Sequence, residues 1–259
     1  MANLKIVTFN IRNVLYEDGE NGFVHRVGMI YDKINKEKPD IIAFQEFWYQ
    51  HLVMMRRLLA DYDFYGQRRN ADFHGEGLYV AIKKEALELL AYETFWISPT
   101  PYVPGSRFPV QSECPRICNV LKLRHDESGK IFRVLNLHLD HISESARTEG
   151  IKCVTDMLRA YNGKHEVPAF IVGDFNSYPE SEVMRYCRAL EDPALSDLTS
   201  DIPVTCHGFG REAIKIDYIL GTKEMQAALV NVGVWDDVHC GIFLSDHYPV
   251  FADIDIEKI

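Results

Sequence analysis

The sequence predicts an α/β protein in which two β-sheets pack face to face and helices cover their outer sides. Three observations carry this. Strand-like runs far outnumber helical stripes, which favours sheets as the central layers. The helical stripes fall between strands and do not form a separate block. No linker, internal repeat or low-complexity tract divides the 259 residues, so the expectation is a single domain over residues 1–259.

In chain order, Leu4–Phe9 is the first strand-like run. Val27, Ile30, Tyr31 and Ile34 then recur at i, i+3, i+4 and i+7, the spacing of one helix face. Ile41–Gln45 is a strand, and Leu52, Met55, Leu58 and Leu59 make a second stripe. Leu78–Ile82 and Leu87–Ile97 are strands, followed by the Pro/Gly-rich stretch Ser98 to Pro109, a long surface loop of the kind that tends to be functional. Ile117–Leu123 and Phe132–Leu139 are strands. A stripe of Ile151, Val154, Leu158 and Tyr161 follows, then the strand Ala169–Val172 and a short stripe of Val183, Cys187 and Leu190. Ile216–Leu220, Ala227–Trp235 and Tyr248–Ile254 complete the strands. The apolar stripes read as core faces. The stretch "DYDFYGQRRNADFHGEG" reads as a helix end and solvated loop. Its interleaved Tyr62, Phe64, Tyr65, Arg68 and Arg69 would also suit stacking on a single nucleic-acid strand.

Composition excludes several classes. With 47% hydrophobic and 25% charged residues the chain is globular, and no apolar run approaches the roughly 18 residues that span a bilayer. No basic region leads into an apolar stretch near Met1, and there is no N-x-S/T sequon, so a cytoplasmic protein without a membrane role is expected. The six cysteines are scattered with no CxxC pair, which favours reduced, mostly buried thiols. The net charge of -10 disfavours a protein that grips duplex DNA through a basic face. It leaves room for an enzyme whose carboxylates hold a divalent cation, because the ion supplies the local positive charge. No obligate protein partner is evident.

Polar residues recur where strands end. Alternation groups Ile6, Thr8 and Asn10 on one face. Glu46 closes a strand whose Ile42 and Phe44 share its face. In "VLNLHLDH", Leu135, Leu137 and Leu139 form one face and Asn136, His138 and Asp140 the other, with His141 following. Asp174 and Asn176 follow "FIVG". Asp217 shares a face with Ile219, and Asp246 and His247 precede the last strand. Each has an ordinary alternative: Asn10 and Asn176 as turn residues, Asp140 and Asp246 as caps, Glu46 at a helix start, His138 as a core histidine, His141 as an exposed loop residue. One cause covers the strand-end placements, since ligand sites form at strand ends in layered α/β folds. Carboxylate and amide oxygens suit Mg²⁺ or Mn²⁺. No GxxxxGK loop, GxSxG elbow or HExxH motif competes. Acid, imidazole and metal together match the needs of phosphate-ester hydrolysis: an activated water, neutralised phosphoryl oxygens and a stabilised leaving oxygen.

The ordered motifs "TFNIR", "FQE", "NLHLDH", "GDFN", "IDYIL" and "SDHYPV" resemble those of the endonuclease/exonuclease/phosphatase superfamily, from Thr8 to Val250. The resemblance implies a four-layered sandwich of two mixed β-sheets with helices on the outer faces. It implies Mg²⁺-dependent hydrolysis of a phosphodiester, in single-stranded RNA or DNA, a nucleotide or a small molecule. The alternatives are a phosphomonoesterase and a non-catalytic binding protein. By position, Glu46 is implied as the principal metal ligand, assisted by Asn10. Asp174 would orient or deprotonate the attacking water, and Asn176 would hold that water or the phosphate. His247 would contact the phosphoryl group, with Asp246 orienting its imidazole or reaching the metal. His138 would contact a non-bridging oxygen, with Asp217 as a supporting acid near either histidine. Glu76 matches an acid that positions the catalytic histidine. Arg116 matches a substrate-phosphate ligand in a bacterial branch related to the deadenylases. Many of that branch carry a Trp-Asp pair where this loop reads "SRFPVQSECPR".

Overall fold

The structure, a computed structural model, describes residues 3–163 and 166–259. The described residues form, in order, β1 (Asn3–Asn10), α1 (Phe23–Glu37), β2 (Ile41–Phe47), α2 (Tyr49–Leu58), β3 (Tyr62–Arg68), β4 (Gly77–Lys83), β5 (Leu87–Trp96), β6 (Ile117–His125), β7 (Ile131–His138), α3 (Glu144–Asn162), β8 (Ala169–Asp174), α4 (Glu182–Ala189), β9 (Leu195–Asp197), β10 (Asp217–Thr222), α5 (Lys223–Ala227), β11 (Leu229–Val234), β12 (Val238–His239), β13 (Ile242–Phe243) and β14 (Val250–Asp255).

Two six-stranded sheets run β11-β14-β1-β2-β4-β3 and β5-β6-β7-β8-β10-β9, beside the small β12-β13 hairpin. Each six-stranded sheet is mixed in the same way. Its middle pair is parallel, β1 with β2 in one and β7 with β8 in the other, and the remaining pairings are antiparallel. A parallel pair needs a crossover, and α1 and α3 supply it.

Three apolar layers separate four structural layers. Between the sheets lie Ile6, Ile41, Val80, Leu121, Val134, Val172, Ile219 and Ala252. Outside the first sheet, Val7, Ile42 and Phe44 pack with Ile30, Ile34 and Met55 of α1 and α2. Outside the second, Leu135, Leu137 and Ile171 meet Ile151, Val154, Val183 and Cys187 of α3 and α4. The odd–even alternation read from the sequence is therefore the alternation between inner and outer layers. All six cysteines are free. Among the described residues no helix is long and apolar enough to cross a membrane.

β3 is not legible in the sequence, because Asp63, Gly66 and Gln67 interrupt its apolar pattern. Tyr62 and Phe64 are nevertheless buried on alternate positions, so two of the three aromatic residues considered for stacking on a nucleic acid are core residues. The short strands β9, β12 and β13 and helix α5 are not legible either. They fall below the length at which periodicity is readable.

Candidate active site

The site lies where the parallel strand pairs of both sheets end. Asn10 closes β1 and pairs with Gln45 of β2, one residue before Glu46. His138 closes β7 and pairs with Asp174, which closes β8. Asp217 opens β10 directly opposite Asp174. A cleft of about 180 Å³ is lined by Arg12, Tyr16, Glu46, Arg69, Glu76, Cys114, Arg116, His138, His141, Asp174, Asn176, Asp246 and His247.

Glu46 reaches this cleft by a route that alternation does not foresee. Between Phe44 and Phe47 the pairing with β4 slips, so Gln45 and Glu46 together oppose Leu78, a β-bulge. Glu46 itself has φ +56. Left in register it would share the helix-side face of Ile42 and Phe44. The bulge re-aims it towards the inter-sheet side, where Oε1 accepts from Asn10 Nδ2 at 3.2 Å and Oε2 from the Asn13 backbone N–H at 2.7 Å. A non-glycine residue in this region is strained by about 1–3 kcal/mol, the kind of outlier that clusters at functional sites.

Asn10 binds two acids at once, because Nδ2 also donates to Asp174 Oδ2 at 3.1 Å. Its Oδ1 accepts from the Arg12 N–H. As arranged, Asn10 is a bridge between carboxylates. Asp174 Oδ1 accepts the Asn176 N–H at 2.8 Å, and Asn176 Nδ2 donates to the Leu139 carbonyl. Asn176 therefore serves both as the αL turn residue, with φ +48, and as part of the cleft wall. Burial pushes the Asp174 carboxyl up to about 7, reinforced by the facing charge of Asp217.

The two histidines are driven apart. Burial, with Arg116 and Arg69 nearby, holds the His138 imidazole well below its usual range, so it is neutral. Burial would lower His247 as well. Asp217 overcomes this by its charge and by a 2.8 Å contact to Nδ1, and His247 is raised well above its usual range and carries a proton. Asp174, Asp217 and His247 offer ligand atoms within 4.8 Å of one another. With Nδ1 bonded to Asp217, His247 forms an acid–histidine pair beside the Asp174 carboxylate.

Two expected roles are redistributed. The partner that orients His247 is Asp217. Asp246 instead faces Arg12 Nη1 at 2.9 Å and accepts from Ser245 Oγ. Glu76 lies 3.7 Å from His138 Nδ1, beyond hydrogen-bond range, and pairs with Arg69 Nη1. Arg116 is only 4% exposed; Nη2 contacts His141 Nδ1 at 3.0 Å, and Nε and Nη1 have no protein partner. His141 is exposed as expected, yet it lines the cleft through that contact.

Arg12, Tyr16, Arg69 and Cys114 also line the cleft, and none of them is a strand-end position that the sequence singles out. Arg12 carries the clearest signal, sitting two residues after Asn10 inside "TFNIR". It holds Asp18 with Nε and Nη2 and Asp246 with Nη1, and it stacks 4.0 Å over Tyr16. Arg69 follows β3, whose end was not legible, and accepts the Trp96 indole N–H on its carbonyl at 2.7 Å.

A structure from Bacteroides vulgatus described as an endonuclease/exonuclease/phosphatase is 28% identical over 98% of this chain and 99% of its own, with a TM-score of 0.90. The mannosyl-6-phosphatase of Bacteroides thetaiotaomicron shares the fold at 24% identity, covering 96% and 98%, with a TM-score of 0.86. The human Nocturnin catalytic domain, with a bound sulfate anion, shares it at 19% identity, covering 97% and 93%, with a TM-score of 0.75. No curated protein matches the chain. The model of the Endonuclease/Exonuclease/phosphatase family matches residues 7–247, and on that match the chain belongs to this family of phosphoester hydrolases.

Proposed function

We propose that this protein hydrolyses a phosphodiester by attack of water assisted by Mg²⁺ or Mn²⁺. One observation carries the reading: Asp174, His138 and the His247 imidazole bonded to Asp217 at 2.8 Å meet in one cleft beside Glu46, with a single amide, Asn10, bridging Glu46 and Asp174. The donor set fits a hard cation. Glu46 and Asp174 are carboxylates drawn onto a single amide, and Glu46 is held there against backbone strain. Glu46 would hold the ion with Asp174 beside it. Asn10 would join them only through its amide oxygen, and Asp246 only on leaving Arg12. A bound cation neutralises phosphoryl oxygens and stabilises the leaving oxygen.

The chain's own groups do the rest. Asp174, fixed by Asn10 and the Asn176 N–H, takes the proton of the attacking water. His247, backed by Asp217 at Nδ1, donates through Nε2 to a phosphoryl oxygen whose charge grows in the transition state. Neutral His138 orients a second oxygen. Arg12, Arg69 and Arg116 favour an anion in the cleft.

The small cleft and its three arginines favour a second reading, a terminal phosphate monoester on a small metabolite. Parallel assays on bis(p-nitrophenyl) phosphate and p-nitrophenyl phosphate separate the two. Each is run with Mg²⁺, with Mn²⁺, with chelator and with Asp174→Asn. Hydrolysis that ignores both chelator and substitution removes the proposal.

A further inference from the structure

Arg26 lies on the apolar stripe of α1, in line with Ile30 and Ile34, and is 1% exposed. Among the described residues no carboxylate sits within ion-pair distance of it, and burial lowers its pKa to about 10. Its donors go to three backbone carbonyls instead: Nε to Asn21 at 2.6 Å, Nη1 to Leu244 at 2.5 Å and Nη2 to Ile11 at 3.1 Å. Ile11 follows Asn10. Leu244 precedes Ser245, Asp246 and His247. Asn21 closes the loop that carries Arg12, Tyr16 and Asp18.

A buried guanidinium without an acid partner is a poor source of stability, since apolar replacements of buried charges are often neutral or better. What the planar fork does well is to fix the relative positions of several acceptors. Here the acceptors belong to the two segments that bring Asn10 and His247 from opposite ends of the chain, and Ser245 Oγ ties those segments again by donating to the Asn10 carbonyl at 2.7 Å.

We propose that Arg26 is a positioning residue: it clamps the 10–22 and 244–247 segments so that Asn10, Asp246 and His247 keep their places at the cleft. The inference rests on the hydrolytic reading only for its kinetic consequence.

The test compares Arg26→Met, Arg26→Lys and a control, Arg133→Met. Arg133 is also buried and donates to Asn162 and the Tyr161 carbonyl, but it lies at the far end of β7 from His138. Hydrogen exchange is followed in segments 10–22 and 240–247 of metal-free protein, with kcat and KM determined per folded molecule. Arg26→Met is expected to speed exchange in both segments, leave β6 and β7 protected, and lower kcat by about 100-fold with KM within about threefold. Arg26→Lys, which keeps the charge but not the fork, is expected to fall between. Arg133→Met is expected to lower Tm with kcat intact. Unchanged exchange in both segments, or kcat per folded molecule within twofold of wild type, overturns the proposal. If the methionine variant does not fold, the lysine variant decides on the same readouts. If the wild type proves inactive on phosphate esters, the hydrolytic reading fails and the exchange pattern still decides this one.

Discussion

Gly173→Ala is a one-methyl change with a large expected effect. Gly173 sits inside β8, paired with Leu137 of β7 on one side and Tyr218 of β10 on the other. Its φ is +142, a region closed to other residues, and an added Cβ would lie 1.9 Å from the Leu137 carbonyl oxygen. Ordinary contact begins at 3.4 Å, so the strands would have to part by 3.4 − 1.9 = 1.5 Å, more than a ladder hydrogen bond tolerates. Backbone strain of about 1–3 kcal/mol and overpacking of about 1–3 kcal/mol give a cost on the order of 4 kcal/mol. At roughly 2–4 °C per kcal/mol for a chain of this size, Tm drops by about 8–16 °C. The opposite sign is expected of Gly28→Ala in α1, where nothing lies within 4 Å and alanine favours the helix by roughly 0.5–1 kcal/mol. Scanning calorimetry of both variants measures the two effects. A Gly173→Ala protein that melts within about 3 °C of wild type would show that β7 and β8 are not held at this separation, and the placement of His138 beside Asp174 would lose its basis.

Asp174→Asn is expected to abolish hydrolysis yet stabilise the metal-free protein. The folded carboxyl holds its proton up to about 7 against an ordinary value of 3.8, so stability from this group is full below pH 3.8 and lost as pH rises to 7, worth at most roughly 4 kcal/mol. The Tm gain of the asparagine variant should be greatest near pH 8 and vanish near pH 4, and a gain independent of pH would contradict the assignment. Carboxyl ¹³C NMR of the metal-free protein should find Asp174 titrating near 7, with Mg²⁺ moving the midpoint down; a midpoint near 4 without metal refutes the stated burial. Burial lowers His207 to about 4, so its contribution is present above its ordinary 6.5 and lost as pH falls towards 4. The Tm advantage of His207→Gln over wild type should therefore grow between pH 7.5 and 4.5, and a constant difference would mean that His207 is solvated.

Much of this site was legible because strand alternation survives to the last residue. Thr8 and Asn10, Asn136 and His138, and Asp217 and Ile219 lie on the inter-sheet faces their neighbours predict. What stayed hidden depends on contacts distant in sequence. Gly173 has the look of a turn residue; only the Leu137 carbonyl, supplied by another strand, makes it a necessity inside β8. The register of Glu46 is decided by a bulge against β4, and one extra residue changes the face on which a side chain emerges. Whether Asp217 or Asp246 would orient His247 was left open, because strand ends do not reveal which loop folds over which. Arg69 has no signal as a cleft residue because the strand that delivers it, β3, lacks a readable apolar alternation.

The two sheets also share a plan that the residues do not advertise. β1-α1-β2 and β7-α3-β8 are each a parallel pair joined by a helix at the centre of an antiparallel sheet. In such units the carboxyl ends of the strands are left free for a ligand, because the helix returns at the other end. Packing the two units face to face brings two such ends together, Asn10 with Glu46 and His138 with Asp174. Their alignment needs more than apolar layers, which permit sliding. Just beneath the cleft, Gln45 Nε2 donates to Thr8 Oγ1 within its own sheet and to Asn136 Oδ1 across the gap, at 3.1 and 2.8 Å. Asn136 and Asn119 return donors to the Phe44 and Leu78 carbonyls around the bulge that aims Glu46. A buried polar network of this kind is satisfied in one register only. The same bonds that set one sheet against the other therefore fix the Glu46 carboxylate against that of Asp174.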